Sequence, residues 1–243
     1  MAETVRFERR FQGFTHGALG GYAAGVAARG VDGTAEANLR ALPPLERELT
    51  LDGDADGAHE LHDGETLVLE VRPAEFELEI PPIPNLDEAQ AAGDHPVHSS
   101  EHPWPECFTC GPARAEGDGL LLFLGRPADR VGLLTGAWTP DRRLTPEPAL
   151  PAEFVWAALD CPTIWAAWLG EDGQIRVPEP GTFSVLARYR LERLAPVPTG
   201  ERAIVTAWPI QHDGRKHVTG AAIHSSDGDL LARAESLLVD VVR

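Results

Sequence analysis

Residues 152–168, AEFVWAALDCPTIWAAW, are apolar along almost their whole length, and beyond Glu153 the segment carries a single carboxylate, Asp160. A stretch of this composition belongs in a core. Burying an ionised carboxylate without partners is costly, so such a group is paired, neutralised or retained for chemistry. A carboxylate that caps a neighbouring segment, or accepts from a buried Arg or Trp N–H, would satisfy the same pattern. Pro162 has no backbone N–H to donate, so a helix here should weaken or kink just after Asp160.

A chain of 243 residues can bury a sizeable core as one large domain or two small ones. With 43% hydrophobic and 24% charged residues it has the composition of an ordinary globular protein. Its net charge of −17 repels phosphate backbones and anionic lipid surfaces, so no nucleic-acid or membrane partner is expected. The opening MAETVRFERRFQ lacks the apolar run of a signal peptide, and no window approaches the ~20 apolar residues of a membrane span. Three cysteines, an odd number in a chain this long, point to a reducing compartment. The expectation is a soluble cytoplasmic protein.

The chain reads as two similar units. TVRFERRF opens with a short strand, and HGALGGYAAGVAARG, His16 to Gly30, places Leu19, Tyr22, Ala23, Val26 and Ala27 at helical spacing with Gly30 as a stop. The glycines among them cost helix propensity, which close approach to a sheet would compensate. ETLVLEV and EFELEI alternate as strands, the latter with Phe76, Leu78 and Ile80 on one face and Glu75, Glu77 and Glu79 on the other. The alternating Glu would discourage edge pairing. From Pro81 to about Gly117 the Pro- and His-rich sequence reads as a long connection. Beyond it LLLFLG and VGLLTGAW read as strands, then comes the Asp160 helix. SVLARYRLERL, RAIVTAWPI, HVTGAAIHS and LLARAESLLVDVV follow, with HDG (212–214) and SSDGD (225–229) as hairpin turns. The expected division is residues 1–85, a linker at 86–117, and 118–243. Strand, central helix, then a run of antiparallel strands in each unit implies an α+β fold with the helix on one sheet face.

Within the connection, His95, His98 and His102 precede Cys107-Phe-Thr-Cys110. Histidines and a C-x₂-C pair so close together could surround zinc tetrahedrally. The usual second pair is absent and loop histidines are commonly unliganded, so no metal and no cofactor is expected. A thioredoxin-like βαβ context is missing too, which argues against redox chemistry. GALGG follows no clear strand of a βαβ unit, and no G-x-S-x-G element is present.

The element order, with a Gly-rich helix opening on His16-Gly17 and a Leu159-Asp160 late in the partner helix, resembles the hotdog-fold thioesterases. HPWPECFTCGPARAEGDGLLLFLG, with VWAALDCP some thirty residues on, is similar to a bacterial thioesterase-like group. The resemblance implies a tandem (double) hotdog, each unit a long central helix wrapped by a curved antiparallel β-sheet. It also implies hydrolysis of acyl-CoA or a related acyl thioester. The family pattern sets His-Gly-Gly at a helix start and an acid about two turns later. Here the first unit has His16-Gly17-Ala18 without the acid, and the second has Asp160 after Pro151-Ala152 without the His-Gly.

Because that family's site lies between two units, one composite site would join Asp160 to the helix start at His16 and Gly17. Asp160 would act as base or nucleophile, its pKa raised by Trp156, Leu159 and Trp165, and backbone N–H groups near Gly17 would hold the oxyanion. Gln12 or His16 would position substrate or water, with Trp156 and Trp165 among the apolar surroundings. Arg188, Arg190, Arg215 and Lys216 are candidates for coenzyme A phosphates, although a solvated strand face is the simpler reading of the first two and solvent exposure beside a turn that of Lys216. The fold without the chemistry, a binder or scaffold for acyl ligands, is the alternative. A homodimer is also implied by the resemblance.

Overall fold

The computed structural model describes residues 2–242 except 14–15, 32, 55–56, 99–101 and 180. Five strands and one helix form the first part of the chain: β1 (Glu3–Arg6), α1 (Gly20–Ala27), β2 (Thr34–Leu39), β3 (Glu48–Gly53), β4 (His59–Asp63) and β5 (Thr66–Pro73). A short helix follows, α2 (Leu86–Gly93). The remainder is β6 (Leu134–Trp138), α3 (Ala152–Ala167), β7 (Thr182–Arg193), β8 (Ala203–Asp213), β9 (Lys216–Ser225) and β10 (Leu230–Val242). All ten strands join one antiparallel sheet in the order β1-β3-β4-β5-β2-β7-β10-β9-β8-β6. Counted from its own first strand, each half runs 1-3-4-5-2, and the halves meet at β2 and β7. The repeat inferred from element order is therefore a repeat of strand connectivity.

The seam carries an ion-paired row. Glu36 on β2 lies directly opposite Arg190 on β7, and its carboxylate takes hydrogen bonds from Arg190 Nε at 2.6 Å and Arg72 at 2.6 Å. Burial works to raise the Glu36 pKa, but hydrogen bonds from Arg190, Asn38 and Arg72 outweigh it and hold the carboxyl at about 2. Tyr189, between Arg188 and Arg190, points the other way and donates its hydroxyl to the Trp156 carbonyl at 3.0 Å. Both helices lie on that inner face.

The helices pack on one another with almost no gap. A β-carbon at Gly25 would come within 2.5 Å of Glu153 Cα, and one at Gly21 within 2.7 Å of Asp160 Cβ. The small residues of α1 therefore serve approach to α3, where approach to a sheet was expected. Residues 153–166 of α3 are all buried, and the helix continues through Pro162 without interruption. On the turn before that proline, Tyr189 donates to the Trp156 carbonyl, and Thr109 Oγ1 donates to the Ala157 carbonyl at 2.7 Å. No helix among the described residues is long and apolar enough to cross a membrane.

Four other expectations are corrected. The first helix begins at Gly20, not at His16, because the preceding residues are extended: Ala18 N–H donates to Pro43 O and Leu19 N–H to Phe11 O, each at 2.8 Å. EFELEI forms no strand; it alternates as read, but Phe76, Leu78 and Ile80 pack on Leu133 and Trp208 without a ladder partner. LLLFLG likewise forms no strand, although Leu120, Leu122 and Leu124 are buried. Residues 86–93, read as connection, are helical, and Asn85 with Glu88 makes a reciprocal capping box. The strands β2, β3 and β4 were not anticipated, whereas both late hairpin turns fall where HDG and SSDGD stand.

The packing of α1 on α3 has a decisive test. On propensity alone Gly25→Ala should stabilise a helix by ~1 kcal/mol. Close packing reverses the sign, and we expect a loss of about 1–3 kcal/mol in chemical denaturation.

Candidate active site

The chemistry-bearing residues converge where α3 crosses the start of α1. The Gly21 N–H, unpaired within its helix because it lies in the first turn, donates to Asp160 Oδ2 at 2.7 Å. The other oxygen, Oδ1, is buried without a partner among the described residues. Burial raises the Asp160 pKa to about 7; the Gly21 hydrogen bond opposes the shift, and nearby Cys107 adds to it.

Asp160 opens onto a cavity of about 210 Å³ whose walls are almost entirely apolar. Leu39, Leu42, Pro43, Ile164 and Leu186 supply much of that wall, and Gly20, Cys107 and Cys161 line it together with Asp160. Arg40 also lines it and pairs with Glu70 at 2.6 Å. One wall is a β-bulge: opposite β10, Arg188 pairs with Leu237 and Leu186 with Leu238, leaving Ala187 between them without a cross-strand partner. Bulges re-aim side chains beside sites, and here Val185, Leu186 and Ala187 all line the cavity. Strict alternation would have turned one or two of them away.

The remaining candidates are dispersed. His16 is exposed, and Gly17, which bridges to Pro44, does not line the cavity. The first helical N–H at the cavity belongs instead to Gly20. Gln12 is buried beside the cavity wall and donates to Glu106 Oε2 at 2.8 Å, anchoring the loop that carries Cys107. Trp156 packs edge-on against Tyr189, and Trp165 against Trp168, His98 and His102, neither lining the cavity. Arg188 and Arg190 lie on the outer face with Glu235 and Glu36 as partners. Arg215 and Lys216 sit at the β8–β9 turn, far along the sheet from the seam. The cations proposed for phosphate contact are thus elsewhere, and Arg40 is the arginine at the cavity.

The histidine loop folds inward. His98 and His102 are both buried, with ring centroids 4.9 Å apart. Burial and the proximity of His102 lower the His98 pKa to about 4. His95 is exposed.

Solved structures place this architecture. A conserved protein of unknown function with a hot dog fold from Alicyclobacillus acidocaldarius superposes with a TM-score of 0.63 at 12% identity, over 100% of this chain and 94% of its own. The fold is the hotdog fold. The acyl-CoA thioesterase II TesB2 from Mycobacterium marinum matches with a TM-score of 0.63 at 10% identity, covering 100% of this chain and 93% of that one. A pyran synthase domain from module nine of the sorangicin pathway matches with a TM-score of 0.61 at 13% identity, over 100% and 92%. Hotdog proteins of thioesterase type thus align with the chain from end to end, and so does the pyran synthase domain. No family model matches the sequence, and no curated protein matches it.

The buried carboxylate makes stability depend on pH in a specific direction. Its folded pKa of about 7 lies above the ~3.9 of an unfolded Asp, so its contribution is fully present below pH ~4 and is lost as pH rises through about 7. Three units correspond to at most about 4 kcal/mol. In denaturant titrations between pH 4 and 8, Asp160→Asn should remove most of that decline and leave the variant the more stable protein at pH 8.

Proposed function

We propose that the chain is two hotdog units in tandem, residues 1–85 and 118–243 joined by 86–117, and that it hydrolyses an acyl thioester at a composite site between them. The observation that carries this reading is Asp160. It is buried and lines an apolar cavity, with one oxygen held by the Gly21 N–H of the other half and the second without a partner among the described residues. The fold of the TesB2 thioesterase supports the same reading at the level of architecture.

In this mechanism Asp160 Oδ2 stays on Gly21, which fixes the carboxylate, and Oδ1 takes the proton of a water that attacks the thioester carbonyl. A base with a pKa near 7 is well matched to a neutral working pH. The Gly20 N–H, unsatisfied within α1 and at the positive end of its dipole, stabilises the oxyanion. Gly21 cannot share that task because Asp160 already occupies its N–H. Collapse of the tetrahedral intermediate breaks the C–S bond, and the departing thiolate takes back the proton from Asp160. The products are a carboxylic acid and a thiol. At about 210 Å³ the cavity is below the usual ~300–1,000 Å³ of ligand sites, a size for a short acyl group. Arg40 at the cavity is placed to meet an anionic carrier such as coenzyme A.

Thiol release from a panel of acyl-CoA esters tests the proposal. We expect turnover favouring short chains, kcat/KM rising with pH to a plateau above about 7, and a loss of 10²-fold or more in Asp160→Asn. Equal rates in the two proteins would remove Asp160 from the chemistry. Saturable binding without turnover would instead leave the acyl-ligand-binding alternative.

A further inference from the structure

The tertiary fold gathers all three cysteines of the chain into one place. Cys107 and Cys110 come from the loop after α2 and Cys161 from α3, yet their Sγ atoms all lie within 4.8 Å of one another. Cys107 Sγ and Cys161 Sγ are 3.3 Å apart, well beyond the ~2.05 Å of a disulfide. All three thiols are free and buried. A tetrahedral zinc ion with thiolates at about 2.3 Å separates its sulfurs by about 3.8 Å, within the spacing found here.

The loop is built to present sulfur. In Cys107-Phe108-Thr109-Cys110-Gly111 the Gly111 N–H donates to the Cys107 carbonyl at 2.9 Å, closing a tight turn. The backbone N–H groups of Thr109 and Cys110 then point at Cys107 Sγ. Gly111 is required sterically, since a β-carbon there would stand 2.5 Å from the carbonyl oxygens of Cys107 and Pro105. N–H groups aimed at a sulfur favour its thiolate, the form that binds metal.

His102 has an identifiable role in this arrangement. Its Nδ1 accepts the Trp104 N–H at 3.0 Å, so in the neutral ring the proton sits on Nε2, 3.3 Å from Cys110 Sγ. The imidazole therefore donates to the sulfur and orients it without becoming a ligand, as outer partners of metal ligands do.

We propose that Cys107, Cys110 and Cys161 form a thiolate site for a zinc ion. The ion exchanges the thiol protons for Zn–S bonds, releases those protons to solvent, and ties the 94–117 loop to α3 one residue beyond Asp160. Because Cys107 and Cys161 also line the cavity, the bound ion forms part of its wall. This assignment does not depend on thioester hydrolysis.

The test uses the full-length protein, untagged, grown with zinc and purified without chelator. Elemental analysis should find about one zinc per chain. Metal-depleted protein should gain thermal stability on adding Zn²⁺, and with Co²⁺ it should develop a thiolate-to-cobalt charge-transfer band. The double variant Cys110→Ser with Cys161→Ser should lose all three signals. Metal-free wild type with three titratable thiols and no response to Zn²⁺ overturns the site. So does a single titratable thiol, which would signal a disulfide, and so does zinc that persists in the double variant. Wild-type measurements decide the matter even if the variants fail to fold.

Discussion

The contact between α1 and α3 governs both the packing of this protein and the surroundings of Asp160. Two glycines, Gly21 and Gly25, stand one helical turn apart on α1 and leave α3 no room for any side chain between the backbones. Close approach brings the first turn of α1 onto Asp160, so that an orphan helical N–H meets a buried carboxylate at 2.7 Å. Each group solves a difficulty for the other: the amide would otherwise lack an acceptor, and the carboxylate a donor. A larger residue at either glycine would separate the helices and leave both unpaired.

Repeated connectivity explains why this contact exists. Each half winds its strands in the order 1-3-4-5-2 and lays one helix on the same face, and joining β2 to β7 sets the two helices side by side. The seam itself is held on the opposite face by Glu36, Arg190 and Arg72, where a buried carboxylate is fully matched by guanidinium groups. The two faces thus divide the polar work. The outer one carries paired charge that is satisfied and silent. Against the inner one lies Asp160, with an oxygen that has no partner among the described residues.

The thiols gather beside Asp160, two of them in the cavity wall. Cys161 follows Asp160 on α3, and the Cys107 turn is pressed against it by Phe108, which sits in a cluster with Phe11, Tyr22 and Phe154. Gln12 and the Phe108 N–H, which donates to the Gln12 carbonyl at 2.8 Å, tie that turn back to the residues entering α1. The Cys107 turn of the stretch that reads as a connection is therefore part of the core, and it touches both halves.

What could be read from sequence was local and periodic. The alternation of β7, the strands β8 to β10, the hairpin turns, the apolar helix and its odd carboxylate all follow from local pattern and turn chemistry, and so does the order of strand, helix and further strands in each half. Where pattern and pairing part company, sequence misleads: EFELEI and LLLFLG have strand composition but no ladder partner, and a partner is a property of the fold. The capping box at Asn85 and Glu88 was legible as a motif, and β2 to β4 were masked by short, mixed sequences. The thiol cluster could not be foreseen, because Cys161 is 51 residues from Cys110 and only folding makes them neighbours. The same holds for Gly20 and Gly21, the β-bulge at Ala187 and the placement of Arg40. Residue types alone show which groups are costly to bury. Which of them share a cavity depends on how the two halves pack, since spacing along a chain sets faces of one element and not distances between two.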